Sequence, residues 1–422
     1  MPASDLHAVV DAVWRLESAR VIGALARMLR DVGLAEDFAH EALVAALEQW
    51  PVSGVPDNPG AWLTAAGKRR AIDHFRRQQM IERKHSELAH ELPSASEPPD
   101  VEASIDTAVQ DDTLRLIFIA CHPVLSAEAR AALTLRLVGG LSTDEIARAY
   151  LVPEPTIAQR IVRAKKTLAA KHVPFELPAP DELRARLASV LEVIYLIFNE
   201  GYTATAGASW TKIGLCEDAL RLARIVAGLM PGEAEAMGLA ALLEIQASRL
   251  KARTTASGAL VPLAEQDRTR WDRLLIQRGL TMLGRAESAS RARGPYTLQA
   301  AIAACHARAP SLDTTDWRRI VTLYTELLEA MPSPVVALNR AVAIGMAEGP
   351  AAGLSAVDEI AGDGAFARYH LMPSVRGDLL EKLGRREEAR AEFERAAAMT
   401  RNDVERAWLE RRAREMASER IT

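Results

Sequence analysis

Between residues 141 and 168 the chain reads LSTDEIARAYLVPEPTIAQRIVRAKKTL, a stretch that admits few folds. Ser142 stands three places before Glu145, the spacing at which a helix-opening serine and a glutamate cap each other's backbone N–H groups. That predicts a first helix to about Tyr150 and then a short turn. Pro155 sits where a second helix would begin, a position at which the missing N–H of proline costs no helical hydrogen bond. Ile157, Ile161, Ala164 and Leu168 recur at helical spacing and form its buried stripe, while Thr156, Gln159, Arg160 and Arg163 take the other face. An ordinary helical hairpin with a solvated basic face satisfies the same periodicity. Hydrogen-bonding and cationic side chains, with no acidic residue from Thr156 to Lys171, favour a helix-turn-helix whose second helix reads base edges in a major groove.

The rest of the chain points to an all-α protein. Ala, Leu, Arg and Glu dominate, aromatics are only 5%, and β-branched runs are few. At 422 residues, about 100 to 200 per domain predicts several domains. Leu16, Ala19, Ile22, Leu25, Met28 and Val32 form an apolar stripe that reads as the core face of a first helix. A turn at Gly33 leads to a second helix ending at Pro51, and a third begins near Ala61. From His85 to Asp112 prolines and acidic residues accumulate and Lys and Arg vanish, the composition of a flexible acidic linker. A compact helical segment follows, closed by Pro174, Pro178 and Pro180.

A net charge of −4 argues against a chain that coats nucleic acid indiscriminately, so local charge has to be read. Lys68, Arg69, Arg70, Arg76 and Arg77 make a dense cationic surface on the third helix, with Trp62, His74 and Phe75 beside it. Rings there can stack on unpaired bases or serve as core. Asp37, Glu41 and Glu48 share one side of the second helix, by themselves a solvated face. Cys121, Cys216 and Cys305 are too scattered for a zinc site or a disulfide framework and read as buried thiols of a reducing cytosol. No segment has the length and apolarity of a membrane span, and the N-terminus lacks a signal-peptide pattern, so a soluble, cytoplasmic protein without membrane partner, metal or cofactor is expected.

Taken in order, LAEDFAHEALVAAL, AWLTAAGKRRAIDHFRR, the acidic linker and LSAEARAALTLRLVGGLSTDEIARAYLVPEPTIAQRIVRAKKTL closely resemble the sigma-two and sigma-four domains of extracytoplasmic-function sigma factors. The resemblance covers about residues 10 to 172 and extends to the subgroup with a long C-terminal tetratricopeptide-like extension, which NEGYTAT opens at Asn199. It implies a sigma-two domain over 1–84, a linker over 85–111, a sigma-four domain over 112–175 and the extension over 176–422. The implied partners are core RNA polymerase, through its β′ coiled coil and β flap, and promoter DNA. Asp37 and Glu41 match the acidic positions that hold the β′ coiled coil. Lys68, Arg69, Arg70, Asp73, Arg76 and Arg77 match the helix that opens and reads the −10 element, although Arg69 stands where many members carry Asn. Thr156, Gln159, Arg160, Arg163 and the neighbouring Lys166 match the −35 reader.

In the extension, Gly377, Leu380, Gly384, Ala389, Phe393 and Ala396 follow tetratricopeptide spacing, and Gly349 precedes Gly384 by 35 residues, near the ~34-residue period. No phosphate loop, nucleophile motif or paired metal-ligand histidine occurs there, so no enzymatic activity is expected. Stacked hairpins suit a protein or peptide ligand. Its candidate contacts are Asn199, Glu200 and Tyr202, with Asp267, Arg268, Arg270 and Trp271, although polar residues at helix ends also commonly satisfy backbone groups. Two rival readings remain: a helical-repeat scaffold that has lost transcription function, and a regulator that binds operators without polymerase.

Overall fold

The computed structural model describes residues 3–86, 105–150, 152–179, 182–203, 212–255, 259–362, 364, 366, 369–400 and 402–417. Among them the protein is all-α: eighteen α-helices, three short 3-10 turns and no strand beyond one isolated bridge between Thr254 and Leu260. None of these helices is long and apolar enough to cross a membrane. The chain forms two compact units, Met1–Val193 and Ile194–Thr422.

The first unit is built on α1 (Ala3–Leu29), which packs against α2 (Val32–Ser53), α3 (Pro59–Ser86), α4 (Ile105–Ala120) and α5 (Ala127–Leu137). Because α1 is enclosed from several directions, its buried residues are not one stripe. Trp14, Val21, Ala24 and Ala26 are buried along with Ala19, Ile22 and Leu25, whereas Leu16 is 69% and Met28 43% exposed. The turn after α1 falls at Arg30 and Asp31 rather than Gly33, with the Asp31 side chain accepting from Leu34 N–H to open α2. That helix runs through Pro51 to Ser53 and stops at Gly54, whose φ of 81° suits glycine. Pro51 is tolerated because it lies in the last turn. Most of the expected linker lies outside the described residues, but its last part is helical: α4 begins at Ile105. The prolines that break helices, Pro93, Pro98 and Pro99, all precede it.

After α5 come α6 (Thr143–Tyr150), α7 (Glu154–Ala170) and α8 (Leu183–Tyr202). The second unit continues with α9 (Ile213–Leu229), α10 (Ala234–Ala247), α11 (Arg273–Ala289), α12 (Pro295–Arg308), α13 (Trp317–Ala330), α14 (Pro334–Glu348), α15 (Pro350–Ile360), α16 (Leu371–Lys382), α17 (Arg386–Met399) and α18 (Asp403–Ala417). Helices pack chiefly on their sequence neighbours, the pattern of a helical-repeat stack. The predicted repeat falls on the hairpin of α16 and α17: Gly384 makes the turn with φ of 76°, and Gly377 lies flat against the Phe393 ring. Gly349, with φ of 105°, makes the equivalent turn between α14 and α15.

Cys121 and Cys216 are buried, and burial pushes their thiols up to about 11 and about 12 respectively. Cys305 departs from the expectation and is only partly buried.

Candidate functional site

The segment from 141 to 168 folds as its capping signals require. Ser142 Oγ accepts from Glu145 N–H at 3.1 Å, and Glu145 Oε2 accepts from Ser142 N–H at 2.8 Å. Pro155 lies in the first turn of α7, and Ile157, Ile161, Ala164 and Leu168 are all buried. Opposite them Thr156, Gln159, Arg163 and Lys166 are exposed and Arg160 is half-buried. The first three and Arg160 line an open recess of about 380 Å³ with Ser126 and Ala129 at the start of α5. Donors and cations thus present themselves along the exposed face of α7 from its first turn to Lys166, an arrangement suited to a major groove.

On α2, Asp37 and Glu41 are exposed. On α3, Arg69, Asp73, Arg76 and Arg77 are exposed, with Lys68 and Arg70 half-buried. The two sets meet at one point: Arg70 pairs with Glu41 at 3.3 Å. Of the rings, Trp62 is half-buried against Trp50, while His74 packs edge-on against Phe38 and Phe75 beside it is 38% exposed. Phe75 is therefore a surface ring among cations and Trp62 a packing residue.

Sequence reasoning passed over the residue that joins these surfaces. Glu36, one position before Asp37, is 3% exposed and takes two cations from the helix-turn-helix half of the unit. Arg136 of α5 donates Nε to Glu36 Oε1 at 2.6 Å, and Lys165 of α7 closes on Oε2. Arg136 also reaches His40 Nε2 at 2.8 Å and the carbonyl of Leu141 at 3.1 Å. Burial alone would raise the Glu36 carboxyl, but Lys165 and Arg136 outweigh it and hold it below the ordinary carboxylate value. Burial, then Arg136, pushes His40 down, keeping it a neutral acceptor.

Three further contacts tie the same halves together. Arg15 pairs with Glu145, and Arg27 with the buried Asp112 at 3.2 Å. Gly140, with φ of 71°, approaches α1 so closely that a Cβ there would lie 2.8 Å from Ser18 Oγ and 3.2 Å from the Arg15 backbone. The signal for Glu36 was present as an acid among the buried Ala35, Phe38 and Ala39, but its partners lie 100 and more residues away.

In the second unit the structure brings Tyr202, Arg268 and Trp271 to one place and separates Asn199 and Glu200 from it in role. Glu200 pairs with Lys212 at 2.5 Å. The Asn199 carbonyl accepts from Thr203 N–H, and its side chain bonds the Tyr195 hydroxyl. Asp267 caps its own 3-10 turn through Thr269, and Arg270 donates to the Lys251 carbonyl with Nη2. Joining Tyr202 to Trp271 is Arg249, which the sequence did not single out: its guanidinium lies 5.8 Å from the Tyr202 ring centre and 5.7 Å from that of Trp271.

Three known families match separate stretches of the chain. Residues 14–80 match the family Sigma-70 region 2, residues 115–168 match Sigma-70, region 4, and residues 186–287 match a family of unknown function, DUF6596. An uncharacterized protein of Rhizobium meliloti (strain 1021) is 43% identical over 431 residues, 98% of each chain. The ECF RNA polymerase sigma factor SigK of Mycobacterium ulcerans (strain Agy99) is 32% identical over 154 residues, 35% of this chain and 78% of that one. The probable ECF RNA polymerase sigma factor SigI of Mycobacterium tuberculosis (strain ATCC 25618 / H37Rv) is 26% identical over 162 residues, 38% of this chain and 55% of that one. With both sigma regions in order, a recognition helix presenting donors and cations, and a long helical region beyond them, the chain belongs to the extracytoplasmic-function family of RNA polymerase sigma factors, in a form that carries a C-terminal extension.

Proposed function

We propose that this sigma factor works from a closed resting state in which its two promoter-reading halves are clamped together, and that core polymerase opens it. Asp37 and Glu41 engage the β′ coiled coil, the sigma-four part meets the β flap, Lys68, Arg69, Arg70, Asp73, Arg76 and Arg77 act at the −10 element, and Thr156, Gln159, Arg160, Arg163 and Lys166 read the −35 element. The parts run as 1–84, 85–111, 112–175 and 176–422, the last regulating activity in the cytoplasm without catalysis.

The observation that carries this reading is Glu36 of α2 holding Lys165 of the recognition helix and Arg136 of α5. The −10 and −35 elements are centred about 25 base pairs apart, ~85 Å along a duplex at 3.4 Å per base pair. A compact unit of ~190 residues is only about 40 Å across. One such unit cannot place both reading surfaces on their elements until the Glu36 contacts part. Low promoter affinity of the free chain follows, since the two weak DNA contacts reinforce each other only when they engage together.

Transcription of genomic fragments by purified core polymerase, with and without the full chain, tests the function. New start sites sharing upstream elements are expected, and replacing Arg160 and Arg163 together by alanine should remove starts that depend on the −35 element. Failure to form a complex with core polymerase, or tight specific DNA binding by the free protein, would overturn the reading.

A further inference from the structure

Several partly buried arginines of the extension face carboxylates: Arg293 meets Glu326, Arg376 meets Asp358 and Glu392, and Arg412 meets Asp378 and Glu381. One cluster differs at Arg249 and Arg268. Arg249, Arg253 and Arg268 gather around Tyr202 and Trp271, with Arg253 3.6 Å from the Tyr202 ring centre and Arg268 5.0 Å from that of Trp271. Arg249 donates to the Tyr202 hydroxyl and to Gln246, and Arg268 to the carbonyls of His306 and Ala309 and to Thr315. Among the described residues neither Arg249 nor Arg268 has a carboxylate partner. Three buried nitrogens there, Arg249 Nε, Trp271 Nε1 and His306 Nδ1, also have no hydrogen-bond partner among those residues.

Cations partly withdrawn from water without a counter-charge are costly. The local field is correspondingly positive: burial, with Arg249 and Arg268 adding to it, pushes His306 down to about 4. Such a site lacks an acceptor-rich anion. Its groups come from α8, the flanks of the 3-10 turn at Leu250–Ala252, the 3-10 turn at Arg268–Arg270 and α12, and so extend over several elements rather than closing round a single small ion. The half-buried Tyr202 ring between the guanidiniums suits the methylene stems of acidic side chains, and repeat stacks present surfaces along which a chain can lie.

We propose that the extension binds a polypeptide segment rich in Asp and Glu at the cluster of Arg249, Arg253 and Arg268 around Tyr202 and Trp271. The inference concerns the extension alone and stands whether or not the first unit rests closed. Arg249 is the principal charge contact, and the half-buried Tyr202 supplies a ring surface, while Trp271, only 3% exposed, backs the guanidiniums from within.

The test measures binding of a fluorescein-labelled hexaglutamate peptide to the full-length protein by anisotropy, with hexaglutamine, inorganic phosphate and single-stranded DNA as competitors. Saturable binding of hexaglutamate is expected, resisting hexaglutamine and equimolar phosphate. Arg249→Gln should weaken it at least tenfold, and Tyr202→Leu, which removes the half-buried ring, a few-fold. Arg385→Gln on the far hairpin and Arg76→Gln/Arg77→Gln in the first unit should leave it within twofold. Should Arg249→Gln lower the melting temperature, Arg249→Lys, which keeps the charge without the planar fork, must still weaken binding. No saturable binding, equal loss with Arg385→Gln, or displacement by phosphate or DNA at concentrations equal to the peptide would overturn the proposal.

Discussion

The two units each carry a buried charge cluster, and the clusters are unbalanced in opposite ways. Around Glu36 one carboxylate is shared by two cations of the same chain, and every member has its partner. Around Trp271 guanidiniums gather with no carboxylate for Arg249 or Arg268 among the described residues. The first arrangement is complete and holds structure together. The second is completed only from outside. A buried ion pair is weak evidence for stability in itself, yet removing one partner from it is severe, so the two clusters should answer mutation with opposite signs.

The largest expected effect is at Glu36. Glu36→Ala strands Arg136 and Lys165 and should cost about 3–5 kcal/mol of the first unit's stability in chemical denaturation. Arg249→Gln, by contrast, removes a charge that repels its neighbours and should leave the second unit's stability within about 1 kcal/mol of the parent or raise it. A loss of similar size at both sites would dissolve the contrast.

Acid titration separates the units next. The folded pKa of His306 lies below its ordinary 6.5, at about 4, so its contribution is full above 6.5 and is lost as pH falls through 4. Up to roughly 3 kcal/mol is involved. A pH series of thermal melts should show this slope, and His306→Asn should flatten it. In the first unit the Glu36 carboxyl is depressed, so its contribution persists above its ordinary value near 4.5 and disappears only as pH drops below that. The lowered His40 begins to erode the same contact once pH falls below 6.5.

Two glycines with nearly equal backbone sharpen the comparison further. Gly140 has φ of 71° against α1, and Gly384 has φ of 76° with nothing near its missing Cβ. Gly384→Ala should cost about 1 kcal/mol, the conformational term alone. Gly140→Ala adds a steric clash and should cost about 2–4 kcal/mol, and small-angle scattering should show the first unit expanding. Equal in size to Gly384→Ala is Ser142→Ala, which removes one half of the capping box for about 1 kcal/mol.

What the sequence made legible was local. Ser142, Glu145, Pro155 and the stripe from Ile157 to Leu168 determine each other within 28 residues, so the helix-turn-helix could be read directly. The α1 stripe was half misread because helical periodicity describes one packing face, and α1 has several; Leu16 and Met28 fell in the gaps between neighbours. Acidic composition predicts flexibility as far as residue 111, yet composition breaks no helix, and α4 runs from Ile105. Glu36, Arg249 and His306 were illegible because their meaning lies in partners brought from distant segments. Tyr202, Arg268 and Trp271 stand out in the sequence as candidate contacts, but only the fold shows that Trp271 is buried and that Arg249 joins them.

One modest contact has a thermodynamic consequence. Arg70, matched to the −10 reader, spends the resting state on Glu41, matched to the polymerase grip, across 3.3 Å at the surface. Whatever engages Glu41 releases Arg70, and whatever engages Arg70 releases Glu41, so the two binding events are linked with one shared coupling energy. An exposed pair of this kind is worth about 0–1 kcal/mol. Docking on polymerase would therefore raise affinity for promoter DNA by up to about fivefold, and promoter DNA would tighten the grip on polymerase by the same factor.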